Sequence, residues 1–148
     1  MNLYNNKYET ATRCLIIMEV FNTRSLSIEE IILLDFLITN DHFSNNEPIH
    51  PKLPSRNIEI YKTRKTITEA LDLLSTRGLI NVDFSEAGIG YYISNLGCIF
   101  NKYLASSYAS KLKKAASFMY EKIHNYTIFD LKNYINEQSW DTDILLIT

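Results

Sequence analysis

The sequence predicts a mainly helical fold with one small β-hairpin, arranged as a winged-helix-like core followed by a C-terminal helical extension. Three observations carry this. Three stretches of helical hydrophobic periodicity come first, two short β-prone runs joined by a glycine-containing turn follow directly, and helical periodicity then resumes. The glycines and prolines supply the punctuation: all three prolines fall between Pro48 and Pro54, and all four glycines between Gly78 and Gly97.

Residues 10 to 22 place Cys14, Ile17, Met18 and Phe21 on one helical stripe. Ser27 is followed three residues later by Glu30, the spacing of a capping box, so a second helix starts there. Its run from Ile28 to Ile38 is apolar almost all round, broken by Glu29, Glu30 and Asp35, which predicts a central and largely buried helix closed at Asn40 and Asp41. From His42 to Asn57 the chain holds every proline and no helical period, and reads as an extended loop. A third helix runs from Ile58, with Ile60, Ile67, Leu71 and Leu74 on one face and Lys62, Lys65, Glu69 and Asp72 on the other. Gly78 ends it. Residues 79–84 and 89–94 are the two strands of a hairpin, turned at 85–88. Asn95 is the expected cap of a short helix to Tyr103. A longer helix spans Ser107 to His124 with Tyr108, Leu112, Ala115, Met119 and Ile123 on one side, and Thr127 with Asp130 repeats the capping spacing for a last helix.

The chain of 148 residues is 46% hydrophobic and 22% charged, which describes one globular unit. A chain of this size buries roughly 70% of the surface its unfolded form exposes, enough for a core without disulfides or metal. Residues 1–94 form the expected winged-helix-like domain and residues 95–148 the extension packed on it. No apolar run approaches the roughly 20 residues needed to cross a bilayer. The N-terminus lacks the pattern of a signal peptide, so a cytoplasmic location is expected. Cys14 and Cys98 read as small buried hydrophobes in a reducing compartment rather than as a disulfide framework.

Chemistry-bearing motifs are missing from the sequence. His42, His50 and His124 with the two cysteines show no zinc-type spacing. There is no serine elbow, no phosphate-cradling glycine loop and no carboxylate pair on one helix face; Glu29 and Glu30 point in different directions. No catalytic residue, cofactor, metal or small-molecule substrate is therefore expected.

Charge is uneven although the net is only -2. Residues 1–49 hold three basic and seven acidic side chains, residues 50–77 six and three, and residues 78–148 six and seven. Lys52, Arg56, Lys62, Arg64, Lys65 and Arg77 make the loop and third helix the basic region. Such a face suits phosphate contact by a helix in a groove, or it is an ordinary solvated face shared with Glu59, Glu69 and Asp72. Arg77, just before Gly78, is placed to cap the carbonyl end of the helix. Near the C-terminus, Ile144 to Ile147 form an apolar tail suited to docking on a partner.

Several segments together carry a family resemblance: His50-Pro51 with Pro54 and Arg56, Glu59-Ile60 with Arg64 ahead of Leu71 to Leu74, and Ser75 to Ile80. Gly88 and Tyr91-Tyr92 in the hairpin, and Tyr108, Ala109, Leu112 and Ala116 in the later helix, complete it. Across residues 10 to 125 the chain resembles the small middle component of ABC-three-component systems, the group that includes the small subunit of Lamassu-type antiphage and antiplasmid defence. Phe118 departs from the tryptophan expected in the later helix. The resemblance implies a non-catalytic subunit that joins an SMC-like or Rad50-like ATPase and a nuclease-type effector, with DNA reached through the complex and no membrane involved. It implies importance for His50, Pro51, Pro54, Arg56, Arg64, Arg77 and Gly78. His50, Lys52, Arg56, Lys62, Arg64 and Lys65 are the expected partner or nucleic-acid interface, and Pro51, Pro54, Arg77 and Gly78 the structural motif around it. The alternative is a winged-helix DNA-binding transcriptional regulator.

Overall fold

The computed structural model describes residues 7–40 and 56–137, with side chains placed except at 56–63 and 137. In chain order these form α1 (Lys7–Val20), α2 (Ile28–Thr39), α3 (Arg56–Thr76), β1 (Ile80–Ser85), β2 (Gly88–Ile93), α4 (Asn95–Lys102), α5 (Ser107–Ile123) and α6 (Ile128–Glu137). The mainly helical class with one antiparallel hairpin is thus as expected from the sequence. α1 begins before its hydrophobic stripe and α3 two residues before Ile58, because a polar first turn adds no periodicity to read. The proline loop and the apolar tail at 144–147 lie outside the described residues.

The two central helices have almost no solvent face. Every residue of α2 from Glu30 to Thr39 is buried, as are Thr10, Ala11 and all of Arg13 to Met18 on α1. Around them one continuous core takes in Ile67, Leu71 and Leu74 of α3, Ile80 at the hairpin base, Leu112 and Met119 of α5, and Leu131 and Ile135 of α6. Fully burying each such side chain stabilises the fold by about 1.5–3 kcal/mol. The start of α2 is fixed by the reciprocal cap: Ser27 Oγ accepts from the Glu30 amide at 3.1 Å, and Glu30 Oε1 accepts from the Ser27 amide at 3.1 Å.

Helices buried all round leave any charge on them without water, so each charge requires a partner. Arg13 on α1 and Asp35 on α2 supply each other. Arg13 Nε donates to Asp35 Oδ1 at 2.7 Å and Nη2 to Oδ2 at 3.4 Å, while Nη2 also donates to Thr10 Oγ1 at 3.1 Å. Nη1 reaches Tyr108 Oη on α5 at 3.4 Å. Burial alone lowers the guanidinium's pKa, but the carboxylate of Asp35 and the hydroxyl of Tyr108 more than offset it and hold the value above the ordinary one.

At the far end of α3, Gly78 adopts φ 73°, a conformation open to glycine at no steric cost. The Gly78 amide donates to Ser75 O at 3.0 Å and the Leu79 amide to Leu74 O at 2.9 Å, the paired bonds of a Schellman motif with Leu74 and Leu79 both buried beside them. The carbonyl end is therefore closed by backbone amides. The Arg77 guanidinium, expected as a cap, stays exposed because its task is already done.

β1 and β2 pair antiparallel with Ile80 opposite Ile93, Val82 opposite Tyr91 and Phe84 opposite Ile89, so one hairpin face is apolar from base to tip. A single-residue bridge adds a third partner. Leu26, fully buried between α1 and α2, exchanges both backbone bonds with Tyr91, at 2.9 Å and 2.8 Å. This stitches the α1–α2 turn to the hairpin.

Removing one member of the buried pair leaves an uncompensated charge, so Asp35→Leu is expected to lower unfolding free energy by about 3–5 kcal/mol in urea titration. Arg13→Met combined with Asp35→Leu replaces both charges by apolar volume and is expected to recover most of that loss. A double variant as unstable as the single one would contradict the assignment.

Candidate functional site

Of the expected interface, His50, Lys52 and the structural Pro51 and Pro54 lie outside the described residues. Arg56 opens α3 and Lys62 lies further along it, where only the backbone is described. Arg64 and Lys65 are both exposed on α3, and so are Thr68, Glu69 and Asp72 on the following turns. By the i, i+4 spacing Lys65 lies beside Glu69, so the exposed part of α3 carries both signs of charge.

The larger exposed feature is one that sequence periodicity alone does not orient. α4 buries Gly97 and Asn101 and turns Leu96, Ile99, Phe100 and Tyr103 outward, at 51%, 53%, 45% and 75% exposure. That is an i, i+3, i+4, i+7 stripe, the spacing of a buried face, presented to solvent.

Four contacts hold α4 in this orientation. Its N-cap is Ser94 rather than Asn95, because Ser94 takes the extended conformation and its Oγ accepts from the Gly97 amide at 3.0 Å. A Cβ on Gly97 would stand 2.2 Å from Leu79 O and 2.6 Å from Ile93 Cγ1, so glycine is what lets the helix lie against the hairpin base. Asn101 Nδ2 donates to Leu15 O of α1 at 3.1 Å and to Glu19 Oε1 at 2.9 Å. Lys113 Nζ of α5 donates to Asn101 O at 2.7 Å and Leu104 O at 3.0 Å, placing an ammonium at the carbonyl end of α4. Lys113 is thus partly buried. The signal in the sequence was Ser94 ahead of Gly97, with Asn101 one turn further on.

Beside α4 opens a cleft of about 460 Å³ lined by Glu19, Cys98, Ile99, Asn101, Lys102 and Lys113. Asn101 is buried, and its Oδ1 accepts from no group among the described residues. Burial and the neighbouring Glu19 carboxylate push the Cys98 thiol pKa up, and burial pushes that of Cys14 up further. Neither cysteine is therefore primed as a thiolate. Among the described residues no group of three or more His, Cys, Asp and Glu could hold a metal ion, and no helix is long and apolar enough to cross a membrane.

The hairpin contributes a second apolar element, the cross-strand pair Phe84 and Ile89 at its tip, with Phe84 76% exposed. Residues 79–94 carry Asp83 and Glu86 and no lysine or arginine. A helical unit whose exposed apolar groups sit on an anchored helix and a projecting hairpin has the surface of a subunit built into an assembly.

Residues 3–142 match the family described as ABC-three component (ABC-3C) system Middle Component 2, and the chain belongs to that family. As a middle component of a multi-subunit system it has protein partners. Comparison with curated proteins returns no match, and neither does comparison with solved structures.

Gly97→Ala is expected to destabilise the chain by about 3 kcal/mol, since the colliding atoms include a backbone carbonyl that has nowhere to move. Chemical denaturation with near-ultraviolet circular dichroism as readout measures it. An unchanged midpoint would mean α4 does not need this close approach.

Proposed function

We propose that this chain is a non-catalytic winged-helix adaptor of a defence complex of the Lamassu kind, joining an SMC-like or Rad50-like ATPase to a nuclease-type effector in the cytoplasm. The observation that carries the proposal is the family match across nearly the whole chain. The order α1, a one-residue strand at Leu26, α2, α3 and hairpin supports the winged-helix reading, because the Leu26–Tyr91 bridge supplies the small third strand that such a core uses to tie its hairpin down. On this reading residues 1–94 are the winged-helix core and 95–148 its helical extension. The sequence carries no catalytic motif, and on this reading the adaptor uses no cofactor and no small-molecule substrate. His50, Lys52, Arg56, Lys62, Arg64 and Lys65 remain its proposed partner-facing residues around the Pro51, Pro54, Arg77 and Gly78 motif.

A second reading, a DNA-binding regulator, draws on the exposed Arg64 and Lys65 of α3. Duplex affinity grows with the phosphates neutralised. The acidic, lysine-free hairpin and the interleaved Glu69 and Asp72 weigh against it.

Co-expression with the other two components of its system, followed by affinity purification through this chain, is expected to recover the ATPase. A chain that emerges alone overturns the adaptor. For the regulator, the isolated chain would bind duplex with a steep salt dependence that Lys62→Glu, Arg64→Glu and Lys65→Glu together abolish. On the adaptor reading, anisotropy titration at low salt shows no such binding.

A further inference from the structure

We infer that the outward face of α4 is the seat of an acidic amphipathic helix from another component of the system, packed on Leu96, Ile99, Phe100 and Tyr103. The inference rests on the adaptor reading for the existence of protein partners and goes beyond it in naming the surface and the chemistry of what covers it.

Three observations lead there. First, the stripe is held out rather than left out: Ser94, Gly97, Asn101 and Lys113 fix α4 by its other face, so the helix cannot roll its apolar side inward without breaking them. Apolar side chains at this spacing on a rigid helix form the ridge that a second helix packs against.

Second, α4 and most of α5 carry one sign of charge. Residues 95–120 contain Lys102, Lys111, Lys113 and Lys114 and no aspartate or glutamate. Lys102 lies one turn beyond Ile99. Lys113 of α5 sets its ammonium against the α4 carbonyl end, and Lys111 and Lys114 are exposed on the same helix. The positive block is hidden in the coarse tally, because residues 78–94 and 121–148 are acidic and cancel it. Lys102 and Lys113, at the C-terminal end of the apolar stripe, are complementary to a helix with carboxylates flanking its apolar face.

Third, the adjoining cleft holds an unused acceptor. Among the described residues Asn101 Oδ1 is buried without a donor, and Glu19, the one described carboxylate lining the cleft, already accepts from Asn101 Nδ2 at 2.9 Å. A donor from the partner that enters the cleft satisfies it.

The test uses the full chain co-expressed with the other two components. Ile99→Ser with Phe100→Ser alters exposed side chains, so its thermal melt is expected to match the wild type while its affinity for the partner falls at least about tenfold. Lys102→Glu is expected to weaken the same contact and to reverse the sign of its salt dependence. A serine variant that assembles as tightly as the wild type overturns this inference and leaves the adaptor reading standing. A wild-type chain that joins neither component overturns both. Binding of the isolated wild type to phosphatidylglycerol–phosphatidylcholine vesicles, or its self-association in sedimentation, also overturns the proposed occupant if the serine variant abolishes it.

Discussion

The pairing of Arg13 with Asp35 is the constraint on which the remaining packing depends. α1 and α2 are both enclosed, and apolar surface alone allows two such helices to slide or rotate past one another at little loss. A guanidinium and a carboxylate without access to water do not, because a shift that separates them exposes both to the full penalty of buried, unpaired charge. Only a register that puts Arg13 against Asp35 is tolerated, and Thr10 and Tyr108 complete its coordination from α1 and α5. Fixing α1 in turn fixes the Leu15 carbonyl to which Asn101 donates, so the position of α4 descends from an interaction in the middle of the core.

Features carried by local spacing were legible in the sequence. The Ser27 and Glu30 cap, the Thr127 and Asp130 cap, the glycine end of α3 and the buried stripe of α5 all depend on residues within one or two turns of each other. What escaped depends on partners far along the chain. Asp35 was visible as an interruption in an apolar helix, but its counterion stands 22 residues earlier and no local spacing joins the two. Leu26 is a strand one residue long and leaves no pattern. The α4 stripe was visible as amphipathic spacing, yet periodicity does not say which side faces the core. A glycine and an asparagine on the inner side reverse the usual assignment, because they allow close backbone approach and a polar anchor where apolar bulk would ordinarily sit.

The surface follows the same division. The basic cluster that the sequence singles out, on the proline loop and α3, is interleaved with carboxylates where side chains are described. The lysine block on α4 and α5 has no such interleaving but is masked by acidic flanks in a segment-wide sum. Partner helices that meet a preorganised ridge lose little conformational freedom on binding beyond their own.

Ser94 joins three elements through one residue. Its amide donates to Leu79 O at 3.0 Å, its hydroxyl donates to Gly78 O at 2.7 Å, and the same hydroxyl accepts from the Gly97 amide at 3.0 Å. The end of α3, the base of the hairpin and the first turn of α4 therefore open together or not at all. Their amides are expected to exchange as one cooperative unit, without the hairpin base fraying as an independent arm.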